Sequence, residues 1–495
     1  MMLDGTTTRM NKNLSNIPFP LSKQTRLSFP LHFSERKVLL ATVDLLLLNL
    51  ALLCIVALRP NISLTWSVIG QHLLWYLFLS GLWLTVGLML DIYDLARAAS
   101  SFHSAWATSS AVLFTSLGYW LTPYLTPTLP SRRLEVVLFL LLATLSIAIW
   151  RVLYAALFFQ PTFRQTALII GSGHSARTLI QAIAATGEEK GNPIRGTGYS
   201  LLGLISQEPL AEQTIEKIPV LGSVGALPSL VRLLQPDEII VAIEGAGRQK
   251  TLQALLDSSE QGIPITSMTT LYERVTGRVP VEHAGHNLDV VLPMRRPTYM
   301  RLYLMMRRMF DLVIVLLSLP LLIILMLLIW LANQLTDPGD LFYQQERVGQ
   351  SGEPFQILKF RTMIMDAEKH TGAVWASEKD PRITPVGRFL RQTRIDELPQ
   401  LWNVLKGEMS IIGPRPERPH FVDQLTKEIP FYRARHAVTP GLTGWAQVKY
   451  PYGASAEDAL IKLQYDLYYI KHQGAYLDLL ILLKTVLVVL GRKGR

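Results

Sequence analysis

The sequence predicts a multi-domain membrane protein. Its parts are an α-helical four-span bundle, an α/β Rossmann-like cytoplasmic domain, and a mainly α C-terminal domain with a re-entrant membrane helix. Three observations carry this reading. Long apolar segments crowd the first 160 residues, a strand–glycine turn–helix pattern begins near Arg164, and a second apolar run at 311–332 holds a proline near its middle. At 495 residues the chain exceeds one compact domain. It is 49% hydrophobic yet 17% charged, which suits membrane spans joined to water-facing domains and excludes a pure membrane channel.

Residues 1–35 are polar, with prolines and scattered Lys and Arg, and read as a flexible cytoplasmic arm. The region 36–160 holds apolar segments at 37–58, 68–90, 104–125 and 134–158. Each approaches or exceeds the ~20 residues that a helix needs to cross a bilayer. The third is rich in Ser and Thr. Basic residues are dense before the first segment (Arg9, Lys12, Lys23, Arg26, Arg36, Lys37), whereas the first outer loop has only Arg59. Arg132 and Arg133 weaken this asymmetry without reversing it, so the N-terminus is expected inside and four spans return the chain to the cytoplasm. The first apolar run begins near Val38 and is long, which does not resemble a cleaved leader. The lone cysteine, Cys54, lies within that run and excludes disulfides and cysteine zinc sites. The net charge of +10 suits anionic lipid or phosphorylated substrates, with nucleic acid a third option that the later motifs do not support.

From 161 to 292 short strand-like runs alternate with helical ones. TALIIGSGHSARTLIQAI reads as strand, turn and helix, with Gly171, Gly173 and Ala176 in a GxGxxA arrangement, and LLGLIS (201–206) and EIIVAI (238–243) read as further strands. The context makes Gly171 and Gly173 candidate nucleotide- or CoA-binding residues. The second strand, however, ends in Ser206 and lacks an acidic residue for a ribose, so a structural or regulatory fold stands beside a ligand site.

The last domain, 293–495, opens with a basic, aromatic stretch, RRPTYMRLYLMMRRMF (295–310), followed by the apolar run. As a straight helix, 311–332 would span about 33 Å, enough to cross the hydrocarbon core. Pro320 removes a helix hydrogen bond and clashes with the preceding turn, so a bend is expected there.

The stretch RIDELPQLWNVLKGEMSIIGPRP (394–416) bears the chemistry. Leu398, Leu401, Trp402 and Leu405 fall on one helical face and Gly407 stops the helix. Pro399 is tolerated only in a first turn, which places Asp396 near the N-cap and Glu397 at the first helical position. Acidic residues there serve as plain caps in many helices. The surroundings favour more. Arg391 lies five residues before Asp396, KFRTM supplies Lys359 and Arg361, and Arg415 stands between Pro414 and Pro416, which fix its backbone. Rigid cations beside two carboxylates suit a diphosphate bridged by Mg²⁺, with Asp396 and Glu397 holding the metal. One carboxylate could also attack phosphorus and carry the phosphoryl group.

DPRITPVGRFLRQTRIDELPQLWNVLKGEMSIIGPRP, KFRTM and PGLTGWAQV resemble the bacterial sugar transferase family, the monotopic phosphoglycosyl transferases. The resemblance covers about 300–495. Four spans and a Rossmann-like unit in front look like its long form, the undecaprenyl-phosphate glucose or galactose phosphotransferases. KYPYGASAEDALIKLQYDLYYIK is similar to an exopolysaccharide branch associated with exosortase systems. The resemblance implies transfer of a sugar 1-phosphate from a UDP-sugar to a polyprenyl phosphate, with release of UMP. It implies Asp396 as nucleophile, Glu397 for Mg²⁺ and proton handling, and Pro414 to Pro416, Arg391 and Lys359 as the grip on the diphosphate and uridine end. It also implies a re-entrant helix broken by a Ser-Pro pair. Here the serine is displaced, as Ser318-Leu319-Pro320, which puts a serine back-bond in doubt. Crossing at 311–332 would move Asp396 away from the cytoplasmic UDP-sugar pool. The implied location is therefore the bacterial inner membrane, multi-pass, with the catalytic domain facing the cytoplasm and membrane lipid as a partner. Homo-oligomer formation is left open.

His436 could bind phosphate or belong to a solvated basic face, and Trp445 and Tyr450 could stack on uracil or sit in an aromatic core. The run 477–490 reads as an interfacial helix rather than a span. The chemistry is expected to reside after about Pro297. The rival reading is a non-catalytic membrane sensor or assembly factor that binds a nucleotide in its Rossmann-like unit. A glycosyltransferase that moves only the sugar would release UDP, so the nucleotide product separates all three.

Overall fold

Long apolar stretches dictate long helices, such as those of 17 and 37 residues, and these dominate the computed structural model. It describes residues 33–58, 70, 72–94, 98, 101–127, 133–158, 165–186, 199–207, 213–243, 249–284, 288–291, 300–365, 367, 380–450, 453 and 455–490. The arm expected at 1–35 lies almost wholly outside them. The chain divides into two compact units, Met1–Thr276 and Gly277–Arg495.

The first unit opens with helices α1 (Phe33–Ala57), α2 (Leu73–Met89), α3 (Ser101–Leu121) and α4 (Arg133–Phe158). By length and composition Glu35–Ala57 and Leu134–Ala156 are candidate spans, whereas α2 has 17 residues and α3 is not among the candidates. Some hydroxyls of α3 bond back within the helix, as Thr108 Oγ1 donates to Ser104 O (2.8 Å) and Ser109 Oγ to Ala105 O (2.7 Å), whereas the buried hydroxyls of Ser104, Thr115 and Ser116 have no hydrogen-bond partner among the described residues. Asp44 of α1 and Arg151 of α4 form a fully buried ion pair, and Arg151 Nη1 also donates to Ile92 O at 2.9 Å. In an apolar bundle such a pair fixes which helix faces meet.

After the helices the period falls to that of strands. The sheet runs in the order β3-β4-β2-β1-β5-β6, comprising β1 (Gln165–Ile170), β2 (Tyr199–Ser206), β3 (Thr214–Ile215), β4 (Ile218–Ser223), β5 (Glu238–Val241) and β6 (Ile265–Ser267). All pairings are parallel except β3 with β4. Helices α5 (His174–Thr186), α6 (Leu227–Leu234), α7 (Gln249–Glu260) and α8 (Met268–Thr276) complete this α/β fold. Gly171 has φ of +130°, and a Cβ there would collide with the Ala242 carbonyl. The close approach of β1 to β5 thus already explains that glycine without a ligand. Gly173 precedes α5, and its carbonyl accepts from Arg177 N at 3.3 Å.

The second unit begins at Gly277, ahead of the boundary expected at 293. Val279, Val281, Ala284, Val290 and Val291 enter its core, Val279 N bonds Gln464 O (3.0 Å), and Trp445 Nε1 bonds Gly277 O (3.0 Å). Helix α9 (Met300–Thr336) follows, longer at both ends than the 311–332 expected and continuous in helical assignment through Pro320. The doubted serine back-bond is present, since Ser318 Oγ donates to Val315 O at 2.8 Å. Near its start Arg307 bonds Ser410 and Ile412 O, Arg308 caps the Val404 and Leu405 carbonyls, and Asp311 accepts from Ile411 N. Towards its end Leu322 and Ile329 pack with Phe360 and Leu390. Both halves of α9 therefore rest on one domain.

The remaining elements are β7 (Phe342–Val348) and β8 (Pro354–Phe360), an antiparallel hairpin; α10 (Pro385–Thr393); a 3₁₀ turn (Ile395–Gln400); and α11 (Leu401–Lys406). Then come β9 (Ser410–Ile412), α12 (Pro419–Glu428), a 3₁₀ turn (Tyr432–Ala437), β10 (Gly441–Thr443), α13 (Trp445–Lys449), α14 (Ala456–Lys471) and α15 (Ala475–Leu490).

Candidate functional site

The expected acidic pair lies in the 3₁₀ turn and not at the start of an α-helix. Thr384 caps α10 by accepting from Gly387 N at 2.9 Å, and α10 ends at Arg394, whose φ of 58° and ψ of 15° are left-handed. A non-glycine residue there costs of order 1–3 kcal/mol, which the surrounding contacts must offset. It reverses the chain sharply and turns the next residues toward β8. At about three residues per turn the 3₁₀ segment also shifts the apolar stripe. Leu398 is half-buried, Leu401 and Val404 are buried, and Trp402, expected inside, is 51% exposed.

Lys359, near the end of β8, donates from Nζ to Glu397 Oε1 at 2.8 Å. Arg415 grips the same carboxylate, donating from Nη1 to Oε2 at 3.2 Å and from Nη2 to Oε1. Glu397 is thus clasped by two cations. Among the described residues none donates a hydrogen bond to the Asp396 carboxylate. Arg391 Nε bonds Thr362 Oγ1 at 2.9 Å, and its charge reaches Asp396. The structure therefore gathers Asp396, Glu397, Lys359, Arg391 and Arg415, with Pro414 and Pro416 flanking the last. Arg361 is turned elsewhere: it pairs with Asp337 Oδ2 (2.8 Å) and donates to Asp340 O (2.8 Å) at the end of α9. Gly171 and Gly173 belong to the other unit.

The electrostatics push the two acids apart. Burial, then the charge of Glu397, raise Asp396 to about 6 against the pull of Lys359, Arg391 and Arg415. Burial would raise Glu397 too, but the charges and hydrogen bonds of Arg415 and Lys359 overcome it and hold Glu397 well below its usual range. Neighbouring carboxylates separated in this way suit different tasks. Among the described residues no group of three or more His, Cys, Asp or Glu could hold a metal by itself. The pair fits only the mode in which one or two carboxylates share Mg²⁺ with substrate phosphates.

Several residues that matter to this geometry carried no local signal. Asn403 Nδ2 bonds Gln356 O and Glu408 Oε2, each at 2.7 Å, and its Oδ1 accepts from Leu358 N at 3.1 Å, so it joins β8 to α11 beside Lys359. Gly413 is pressed against Gly441 and Gly444, where any Cβ would strike its backbone. The PGLTGW segment is thereby the seat of the proline-flanked loop. Trp445 is buried and stacks with Tyr468 (6.1 Å), and Tyr450 bonds Asp458 Oδ1 (2.8 Å). His436 is half-buried and lowered to about 4, by burial first and then by Arg435 and Arg433, so at neutral pH it brings no positive charge to a phosphate.

Residues 302–492 match the bacterial sugar transferase family. The chain is 44% identical over 233 residues to the UDP-N-acetylgalactosamine-undecaprenyl-phosphate N-acetylgalactosaminephosphotransferase of Aeromonas hydrophila, covering 47% of this chain and 53% of that protein. It is 43% identical over 171 residues to the UDP-glucose:undecaprenyl-phosphate glucose-1-phosphate transferase of Xanthomonas campestris pv. campestris, covering 34% and 35%. Against the UDP-galactose-lipid carrier transferase of Erwinia amylovora it is 30% identical over 371 residues, covering 68% and 70%. The chain thus spans about half the length of the first of these relatives, about a third of the second and most of the third.

Proposed function

The chain belongs to the bacterial sugar transferase family, and from that premise we propose that it transfers a hexose 1-phosphate from a UDP-sugar to undecaprenyl phosphate, releasing UMP. The observation that carries this reading is the division within the acidic pair: an unclasped Asp396 with a raised pKa beside a Glu397 held by Lys359 and Arg415. An Asp396 oxygen attacks the phosphorus that bears the sugar. The bridging oxygen–phosphorus bond breaks and UMP departs. An oxygen of the lipid phosphate then attacks the same phosphorus and frees the aspartate. Lys359 and Arg415 bind the diphosphate, and Arg391 stabilises the ionised Asp396. Mg²⁺, when bound, neutralises diphosphate oxygens, and Asp396 and Glu397 are the residues that would hold it.

The relatives' names cover glucose, galactose and N-acetylgalactosamine donors, so the sugar is a hexose of this group, with glucose or galactose the reading of choice. The step would begin an exopolysaccharide on its lipid carrier. Purified protein given undecaprenyl phosphate and a panel of UDP-sugars, with and without a chelator, tests this. Multiple-turnover UMP release, beyond one equivalent per enzyme, is expected to depend on both substrates and on Mg²⁺. Release of UDP, or no nucleotide product from any sugar, defeats the reading.

We infer further that the first unit anchors the chain in the inner membrane by four helices, and that α9 enters and leaves one leaflet. What supports re-entry is that polar contacts near both ends of α9, at Arg307, Arg308 and Asp337, reach the same domain. A helix crossing the bilayer would separate them. With Cys54 replaced, single cysteines at 308 and 347 are expected to react alike with an impermeant thiol reagent, only in opened cells. Labelling of 347 alone in intact cells would mean a true crossing.

A further inference from the structure

We propose that Arg435 is a positioning residue for the reaction read above: it holds the main chain of Arg415 so that the Arg415 guanidinium meets Glu397 and the incoming diphosphate. The inference rests on that reading for its catalytic meaning and on the fold for its geometry.

The loop that presents Arg415 cannot hold itself. Pro414 and Pro416 have no N–H to donate, so the segment must be fixed through its carbonyl oxygens. Four consecutive carbonyls are each taken by a different donor. Pro414 O accepts from Gly441 N (2.9 Å), Arg415 O from Arg435 Nη2 (3.0 Å), Pro416 O from Arg347 Nη1 (3.3 Å) and Glu417 O from Val348 N (2.9 Å). Two of these donors are main-chain amides beside regular strands. Of the two side-chain donors, Arg435 serves Arg415 itself.

Arg435 is built for that task. Its side chain is 7% exposed, and Asp466 of α14, 2% exposed, accepts from Nη2 at 2.8 Å. Nη1 donates to Tyr432 Oη at 2.6 Å, and the guanidinium lies 5.2 Å from the Tyr432 ring centroid. A buried cation needs such pairing, and only a planar fork serves an acid, a phenol and a main-chain carbonyl together. Asp466 and Tyr432 fix the fork, and the fork fixes Arg415. Tyr432 is local to Arg435, but Arg415 and Asp466 lie 20 and 31 residues away, so no local pattern marks the chain of contacts as a whole.

The test is a double-mutant cycle read as kcat/KM for UMP release from UDP-glucose, or from whichever UDP-sugar the panel selects. Arg435→Gln is expected to lower it about a hundredfold in the wild-type background, as small misplacements of a binding group do. In an Arg415→Ala background the same change should cost less than about threefold, because the residue acts through Arg415. Equal losses in both backgrounds would assign Arg435 a purely structural role and overturn the proposal. If Arg435→Gln leaves Asp466 unpaired and the protein unfolded, Arg435→Lys keeps that charge pair and enters the cycle instead. A structure of the folded variant gives a readout independent of turnover: the Arg415–Glu397 ion pair should be lost, and its survival would refute the positioning role. A wild-type protein that releases no UMP defeats the reaction reading alone, and the ion pair then decides for Arg435.

Discussion

Replacing Asp396 with asparagine is expected to lower kcat by about 10⁴-fold or more while the fold remains at least as stable. The amide keeps the shape of the carboxylate but is a far poorer nucleophile. No described residue donates to the Asp396 carboxylate, so the substitution severs no hydrogen bond. Stability should even improve at neutral pH. The folded-state pKa of about 6 lies above the ordinary 3.8, so between these values the folded protein binds more protons than the unfolded one. Rising pH therefore costs the wild type stability across that window, and asparagine escapes the cost. The advantage should appear in thermal unfolding at pH 7.5 and shrink towards pH 4. The same ionisation gives kcat/KM of the wild type a rising limb with a midpoint near pH 6. Intact-mass spectra of wild type with UDP-sugar and Mg²⁺ should reveal a sugar-phosphate adduct on Asp396. Sequential kinetics with no adduct would end the covalent mechanism.

A fragment of residues 277–495 in detergent or nanodiscs is expected to fold and retain transfer, whereas 297–495 should not fold cooperatively. Sequence alone places the chemistry after about Pro297, but the catalytic unit is not complete there. Val279, Val281, Val290 and Val291 are all buried in its core. Each is worth about 1.5–3 kcal/mol on full burial. Losing all of them approaches the whole net stability of a typical domain, about 5–15 kcal/mol. Circular dichroism and denaturant melts of both fragments decide the matter. Equal midpoints would mean that residues 277–296 are dispensable, and an inactive but well-folded 277–495 would mean that the first unit completes the site.

What the sequence made legible follows from the range of the interactions. Asp396, Glu397, Lys359 and Arg415 announce themselves because their neighbours fix the backbone within a few residues, by a proline, a strand or a pair of prolines. The Rossmann-like strands were readable for the same reason, as short apolar runs, the first of them ending at a glycine turn. Arg361 was expected beside Lys359, yet β8 ends at Phe360, so the alternation that would have aimed both side chains together stops short. Trp402 was misplaced by the change of period at the 3₁₀ turn. Val279, Val281, Ala284, Val290 and Val291 follow neither a helical nor a strand period, which concealed their place in the core. Asn403, Arg435 and Asp466 owe their importance to partners that only the folded chain brings near.

The clasp on Glu397 bears on selectivity as well as on charge. Because the protein supplies its own anion to Lys359 and Arg415, any ligand enters by ion exchange and must outcompete a tethered carboxylate at high effective concentration. A simple monoanion has the same valence as the group it would displace and gains nothing by the swap. A diphosphate presents several oxygens to both cations at once, and charge-assisted, multidentate pairing favours the exchange. On the reaction proposed above, the turn would sort its visitors by valence before the shape of any sugar is consulted.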